Sequence, residues 1–226
     1  HDASIAGQGT LVDLDRAGVP LLEIVSEPEL RSPAEASAYL RTLRGILRYI
    51  DVSDADMEKG HFRCDANVSL RRTGATKLGT RTELKNLNSF RFVEEALEAE
   101  IDRQASLLGA GEAVHQATMA YDPAKRRTRV LRLKENADDY RYFPDPDLIP
   151  LQLSSAQVER VRTELPELAD AKRERFESQY ALSSYDARLL TESRGLAEFF
   201  EASVEAYGPA KPVANWILRD VLQALG

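Results

Sequence analysis

The sequence predicts an α+β protein, in which an antiparallel sheet backed by helices precedes an all-helical region. Three features predict this fold class. Residues 62–72 ("FRCDANVSLRR") alternate between apolar and polar side chains, as a strand with one buried and one solvent-facing side does. Residues 33–50 repeat apolar side chains at helical spacing. Strand patterns disappear beyond residue 153, where only helical periodicity remains.

The composition indicates a globular protein of one large or two modest domains. Of its 226 residues, 43% are hydrophobic and 30% are charged. No apolar run approaches the ~20 residues of a membrane span, and no signal peptide is visible. Cys64 is the only cysteine, which fits a reducing compartment. A net charge of −7 argues against indiscriminate nucleic-acid binding but allows a local basic patch. We therefore expect a cytoplasmic protein that does not contact membranes.

Turn and capping residues define the first elements. Residues 10–26 are expected to form two short strands around a turn at 17–18. The next helix can be capped by Ser32, Pro33 suits its first turn, and Glu35 completes a capping box.

A strand, a helix and a strand pair are expected after residues 62–72. "GTRTELKNLNSF" is predicted to be a strand that leads into a helix capped by Asn88 or Ser89. The buried stripe of that helix is expected to comprise Val93, Leu97, Ile101, Leu107 and Leu108. "AVHQATMAYD" and "RTRVLRL" are predicted to pair around a turn at Asp122 and Pro123.

A proline-rich stretch marks the predicted domain boundary. Pro144, Pro146 and Pro150 in "YFPDPDLIPLQLSS" force extended backbone. The sequence therefore predicts an α+β domain over residues 1–150 and a helical domain over residues 151–226.

The polar side of the alternating strand is the best candidate for chemistry. It carries Arg63, Asp65, Asn67 and Ser69 along roughly 20 Å, at about 3.3 Å per residue. The following strand adds either Glu83 and Lys85 or Thr82 and Asn86, depending on its register. An earlier segment offers Glu23, which stands alone among apolar neighbours. Carboxylates for a hard cation, with amides and basic groups for phosphate, are what a Mg-nucleotide site requires.

Each of these patterns also has a purely structural interpretation. The alternating strand can be an ordinary solvated sheet face, and Glu23 an exposed or paired residue. "KNLNS" can be only a helix start, although its free N–H groups would favour an anion. Neither the phosphate loop G-x-x-x-x-G-K-[ST] nor the G-x-G-x-x-G fingerprint is present. Cys64 falls in phase with the apolar residues, which favours a core position over a nucleophile.

Several long motifs resemble a known enzyme family. "LVDLDRAGVPLLEIVSEPELRSP", "RCDANVSLR", "ELKNLNSFRFVEEALEAEIDRQ" and "DYRYFPDPDLIPL" together resemble the B subunit of the tRNA-dependent amidotransferase. "YALSSYDARLLT" and "ANWILRDVL" are similar to the helical domain of that same protein. The likeness extends over nearly the whole chain.

The resemblance implies a fold and a reaction. The α+β part would be a cradle holding a kinase-type site, which uses Mg²⁺ and ATP to activate the side-chain carboxylate of Glu-tRNA(Gln) or Asp-tRNA(Asn) as an acyl phosphate. Ammonia released by the glutaminase, the A subunit, would then displace phosphate, and a C subunit would complete the complex. A G-L-E-V-H motif and an H-x-E-E-D segment are expected upstream of His1, and a tRNA-gripping tail after Gly226. We therefore expect this chain alone to be inactive.

The resemblance also implies roles for individual residues. Glu23 matches a magnesium ligand, and Asp65 is a second carboxylate or an ammonia-path residue. Lys85 and the amides Asn67, Asn86 and Asn88 line the cradle as phosphate or acyl contacts. Arg63 and Arg141 hold phosphate or the tRNA end. Ala181 replaces a usual glycine, with little consequence expected.

Two other functions remain open from the sequence. The first is a non-catalytic tRNA-binding or scaffolding module, in which the polar strand is a docking surface and binds neither Mg²⁺ nor ATP. The second is a free-standing ATP-dependent ligase of another class, which would turn over without the A and C subunits.

Overall fold

A computed structural model describes residues 14–15, 18–133 and 147–225. The chain divides into two compact units, His1–Leu30 and Arg31–Gly226. Within the described ranges, none of the helices combines the length and the apolar character that crossing a lipid bilayer requires.

The first helix, α1 (Pro33–Tyr49), begins where the sequence predicts. The Ser32 side chain accepts a hydrogen bond from the Glu35 N–H at 3.2 Å. The Glu35 carboxylate accepts the N–H of Arg31 at 2.6 Å instead of the N–H of Ser32. The cap is therefore confirmed, with its returning bond shifted by one residue.

Four strands form one sheet, in the order β1-β2-β3-β4. The strands are β1 (Cys64–Val68), β2 (Thr82–Leu87), β3 (Ala117–Asp122) and β4 (Arg127–Leu133). The β1–β2 and β3–β4 pairs are antiparallel, but β2 and β3 are parallel. The α+β class is confirmed, whereas the prediction of an antiparallel sheet is wrong for its central pair. The reason is α2 (Phe90–Gly109), which joins β2 to β3 and carries the chain back to the end at which β2 begins.

One face of the sheet packs against α1 and α2. The buried residues of this core are Leu40, Met57, Leu84, Leu87, Val93, Ala96, Leu97, Ala117 and Met119. Cys64, Ala66 and Val68 of β1 pack against the same core. The opposite face of β1 is exposed at Asp65 and Asn67, so the predicted alternation is confirmed.

The second helix is capped by Ser89, whose side chain accepts the Phe92 N–H at 3.1 Å. Its buried residues are Val93, Ala96, Leu97, Glu100 and Gln104. The predicted stripe is correct at its start but wrong at Leu108, which is 48% exposed. At helical spacing, the buried positions that follow Val93 and Leu97 are Glu100 and Gln104. The buried side of α2 is therefore polar in its second half.

The β3–β4 hairpin forms at the predicted turn. Asp122 Oδ1 accepts the N–H groups of Ala124 and Lys125 at 3.1 and 3.2 Å. This turn brings β4 back beside β3, at one edge of the sheet.

Helices follow from residue 155 onward. They are α3 (Ser155–Glu164), α4 (Ala169–Tyr180), α5 (Ser184–Leu190), α6 (Arg194–Tyr207), α7 (Ala210–Trp216) and α8 (Leu222–Leu225), with a π-helical turn at Ile217–Val221. A second core lies among them, and Phe176, Tyr180 and Phe200 form an aromatic cluster with ring centroids 4.9–5.4 Å apart. The helical character of this region is confirmed, and the domain boundary at residue 150 stays a prediction.

The described part of the first unit is irregular. Residues 19–26 have no strand structure, and their large apolar side chains are exposed, with Leu21 at 80% and Val25 at 81%. The prediction of a strand over residues 19–26 is therefore wrong. The other half of that prediction, residues 10–13, lies outside the described residues.

Candidate functional site

The exposed face of β1 presents the polar residues that the sequence predicts. Asp65 and Asn67 are exposed there, and Arg63 is exposed just before the strand. Cys64 points to the core side and is half-buried, and burial raises the pKa of its thiol to about 11. Because the thiol stays protonated at neutral pH, Cys64 is a core residue and not a nucleophile.

A cation between two carboxylates occupies the centre of this face. Lys85 Nζ lies 2.8 Å from Asp65 Oδ2 and 3.1 Å from Glu83 Oε1. The hydrogen bond to Asp65 is the main cause that raises the Lys85 pKa above its usual value, against a smaller opposing effect of burial. Thr118 on β3 donates to Glu83 Oε2 at 3.3 Å. Of the two registers left open by the sequence, the one that exposes Glu83 and Lys85 is therefore correct.

A bulge in β2 produces this arrangement. Asn86 has a φ of +61°, a left-handed conformation that asparagine tolerates better than most residues. The register shifts at this point, so that Leu87 pairs with Cys64 whereas Leu84 pairs with Ala66. The extra residue lets Lys85 face solvent while Leu84 and Leu87 both stay in the core.

The amide residues predicted to line the site lie around this bulge. Asn86 is exposed on β2, and Asn88 is exposed immediately before the Ser89 cap. Asn67 lies beside the cluster, since it pairs with Glu83. The structure thus brings Asp65 and Lys85 into contact, while Asn67 lies toward one end of the β1–β2 pair and Asn86 and Asn88 lie at the other.

Two predicted site residues are not placed beside this cluster. Glu23 belongs to the first compact unit, where it is exposed in the irregular stretch. The expectation that Glu23 and Asp65 share one face stays a prediction. Arg141 lies outside the described residues.

A buried polar network supports the sheet from the helix side, and sequence reasoning missed it. Glu100 is fully buried and accepts hydrogen bonds from Arg103 at 2.7 and 2.9 Å. Thr82 on β2 and Thr128 on β4 donate to the same carboxylate at 2.8 and 2.7 Å. Gln104 donates to Val68 O and accepts the Leu70 N–H, both at 3.2 Å, at the end of β1. This network ties α2 to three of the four strands.

The electrostatics of Glu100 follow from these contacts. Burial by itself would raise the pKa of its carboxyl, but the hydrogen bonds from Arg103, Thr128, Gln104 and Thr82 outweigh it, and the net shift is downward. The sequence did contain a signal: Glu100 and Gln104 are four residues apart and in phase with the buried Val93 and Leu97.

The donor set of the exposed face suits a hard cation that also contacts a substrate. Among the described residues, no group of three or more His, Cys, Asp or Glu side chains could hold a metal ion. Mg²⁺, however, is commonly held by only one or two carboxylates together with water and substrate phosphates. Asp65 and Glu83 are two such carboxylates, and the Lys85 ammonium group lies between them.

A sheet with one face covered by helices and one exposed, charged face is the architecture of an α+β domain. The sequence matches the family model described as "GatB/GatE catalytic domain" over residues 2–159. This chain belongs to that family, which confirms the resemblance found in its motifs.

Curated relatives agree with this assignment. One from Moorella thermoacetica is 56% identical over 225 residues, which are 100% of this chain and 47% of the relative. One from Alkalilimnicola ehrlichii is 57% identical over 217 residues, 96% of this chain and 45% of the relative. Both are named as the B subunit of aspartyl/glutamyl-tRNA(Asn/Gln) amidotransferase. The chain spans about half the length of these relatives.

Proposed function

We propose that this chain is part of the B subunit of an aspartyl/glutamyl-tRNA(Asn/Gln) amidotransferase, and that its exposed sheet face activates a carboxylate with ATP. Family membership and the names of the relatives support the complex. The observation that carries the site is Lys85, which lies within hydrogen-bonding distance of Asp65 and Glu83 on an open face. The substrate would be Glu-tRNA(Gln) or Asp-tRNA(Asn).

The chemistry requires activation of the substrate before amide formation. Direct attack of ammonia on a carboxylate fails because oxide is too poor a leaving group. A carboxylate oxygen therefore attacks the γ-phosphorus of ATP, which forms the acyl phosphate and releases ADP. Ammonia then forms the C–N bond, and phosphate leaves with the former carboxylate oxygen. Both steps concentrate negative charge that fixed cations must stabilise.

Lys85 is the residue best suited to that task. Its ammonium group is held in place by two carboxylates, so it needs little reorganisation to contact a transferring phosphoryl group. Asn67, Asn86 and Asn88 add amide donors for the acyl and phosphate oxygens. Arg63 and Arg141 are proposed to hold phosphate or the tRNA end.

The family resemblance implies that Glu23 is a magnesium ligand. On the exposed sheet face, Asp65 and Glu83 are the carboxylates that could bind Mg²⁺ beside Lys85. When bound, Mg²⁺ neutralises charge on the ATP phosphates. Asp65 also positions Lys85, because its Oδ2 atom lies 2.8 Å from Lys85 Nζ. The A subunit would supply ammonia from glutamine, and the C subunit would stabilise the assembly.

The test compares site variants of the full-length protein assembled with its partner subunits. We expect Lys85→Met and Asp65→Asn to lower ATP-dependent amidation of Glu-tRNA(Gln) by about 100-fold or more, the usual effect of removing one charge-stabilising group. Glutamine hydrolysis by the partner glutaminase should stay close to that of the unaltered enzyme. Asp102→Asn is the control, because Asp102 is exposed on α2 and away from this face.

The outcomes separate the candidate functions. Unchanged amidation in both site variants would overturn the assignment of the site. Failure of the full-length protein to bind Mg²⁺ and ATP in calorimetry would favour a scaffolding module. Turnover without the partner subunits would favour a free-standing ligase.

A further inference from the structure

The exposed face of β4 carries three arginines that the proposed reaction does not use. Arg129 pairs with Ala120 and Arg132 pairs with Thr118 across the β3–β4 ladder. Paired residues in a sheet project to the same side. Thr118 donates to Glu83, so Arg129 and Arg132 lie on the face that carries the Lys85 cluster.

The alternation along β4 supports this placement. Thr128 donates to the buried Glu100 on the helix side. Its neighbours Arg127 and Arg129 therefore face the opposite, open side. All three arginines are exposed, and their side chains have no ion-pair or hydrogen-bond partner among the residues that the structure describes.

One strand, β3, separates these arginines from the Lys85 cluster. On β3, the residues between the two charged rows are the small Ala120 and Thr118. Arg129 and Lys85 pair with Ala120 from opposite sides, which separates their backbones by two strand spacings, about 10 Å. The arginines of β4 thus lie across β3 from the Lys85 cluster, without carboxylate partners among the described residues.

The spacing of the arginines along β4 indicates which kind of anion they could bind. Arg127 and Arg132 are five residues apart, which is roughly 16 Å along a strand. The phosphates of one nucleotide form a compact group and would reach only part of this line, whereas a polynucleotide strand would reach all of it. Asp65 and Glu83 would repel a polyanion from β1 and β2 and keep it along β4.

We propose that Arg127, Arg129 and Arg132 form a binding surface for the phosphodiester backbone of the substrate tRNA. This inference rests on the proposed function, since it takes the same RNA as substrate. These contacts would position the acceptor end of the tRNA relative to the Lys85 cluster. Contacts with the phosphodiester backbone do not distinguish one nucleotide sequence from another.

The test measures tRNA binding by the complete enzyme without ATP or glutamine. The triple variant Arg127→Gln, Arg129→Gln and Arg132→Gln should raise the Kd for a tRNA(Gln) transcript about tenfold. The slope of log affinity against log salt should become shallower by about 2, since each contact with a single strand contributes about 0.7. Lysine at the same three positions should restore most of the affinity, and the KM for ATP should stay unchanged.

The control removes three exposed arginines elsewhere, each of which pairs with a carboxylate of its own helical region. Arg160→Gln, Arg162→Gln and Arg219→Gln change residues of the helical region that are 70%, 71% and 82% exposed. This variant should bind tRNA with less than a threefold change in Kd. An equal loss of binding in both triple variants would show a net-charge effect and overturn the proposal.

Other results of the same measurements would assign the three arginines a different role. A higher KM for ATP with unchanged tRNA affinity would assign the arginines to the nucleotide. Unchanged values of both, with more aggregation, would mean that the cations only protect an edge strand. Loss of binding in proportion to loss of folded protein would indicate contacts within the chain. Because binding is measured without chemistry, failure here leaves the amidation test of Lys85 and Asp65 unaffected, and the reverse also holds.

Discussion

At the scale of single residues, Glu100 shows how a buried charge can shape an exposed site. Its carboxylate lies on the helix side of the sheet, yet its partners Thr82 and Thr128 belong to strands that also carry the exposed cluster and the arginines. Four hydrogen-bonding side chains keep it ionised despite full burial. Glu100 is thus a positioning residue for the sheet rather than a group that contacts substrate.

Replacing Glu100 should change both stability and its dependence on pH. Glu100→Gln leaves Arg103 without its carboxylate, so we expect a loss of about 3 kcal/mol in unfolding free energy at pH 7. The pKa of Glu100 is lower in the folded state than its ordinary 4.5, so its contribution is fully present above that pH and is lost as the pH falls below it.

Urea unfolding between pH 3 and 7 measures this contribution. The stability difference between the unaltered protein and Glu100→Gln should shrink steadily below about pH 4.5. Glu98→Gln on the exposed side of α2 is the matched control and should stay within about 0.5 kcal/mol. A pH-independent difference between Glu100→Gln and the unaltered protein would contradict the assigned role.

At the scale of elements, the helix ends show where local rules suffice. Ser32, Ser89, Ser154, Ser183 and Ser193 each cap a helix through the side-chain oxygen. The caps at Ser32 and Ser89 follow directly from the sequence, because an N-cap needs only a hydroxyl at the right position.

The end of α4 differs, because it requires a left-handed residue. Ala181 has φ +51° and ψ +37° and follows the last residue of the helix. This conformation argues against the expectation that alanine in place of glycine matters little, since a Cβ atom costs free energy here. Ala181→Gly should raise the unfolding free energy by about 1 kcal/mol. Ala171→Gly, at an exposed position inside α4, should lower it by a similar amount. Denaturant unfolding of both variants tests the pair, and a destabilised Ala181→Gly variant would refute the argument.

Sheet register is where sequence reasoning was incomplete. The alternation of β1 and the β3–β4 turn were readable, because both depend on a few adjacent residues. The parallel pairing of β2 with β3 was readable in principle from the intervening helix. The bulge at Asn86 could not be predicted, because the sequence of β2 fits two registers and only its pairing with other strands selects one.

At the scale of the whole molecule, the sheet has one face that packs on helices and one exposed polar face. The predicted residues Asp65, Asn67 and Lys85 meet on one side, and the buried network lies on the other. Sequence patterns found the first group because its residues alternate along a strand. The second group was missed because its members come from α2, β2 and β4, and only the folded chain brings them together.

On the proposed mechanism, residues of this open face stabilise the transfer of a phosphoryl group from ATP to the substrate carboxylate. The most direct measurement uses Glu-tRNA(Gln) labelled with ¹⁸O in the side-chain carboxylate, together with ATP and glutamine. We expect ¹⁸O in the phosphate that the full enzyme releases, and about 100-fold slower release of this phosphate by the Lys85→Met enzyme. Phosphate without ¹⁸O, or equal release of labelled phosphate by both enzymes, would contradict the proposed mechanism.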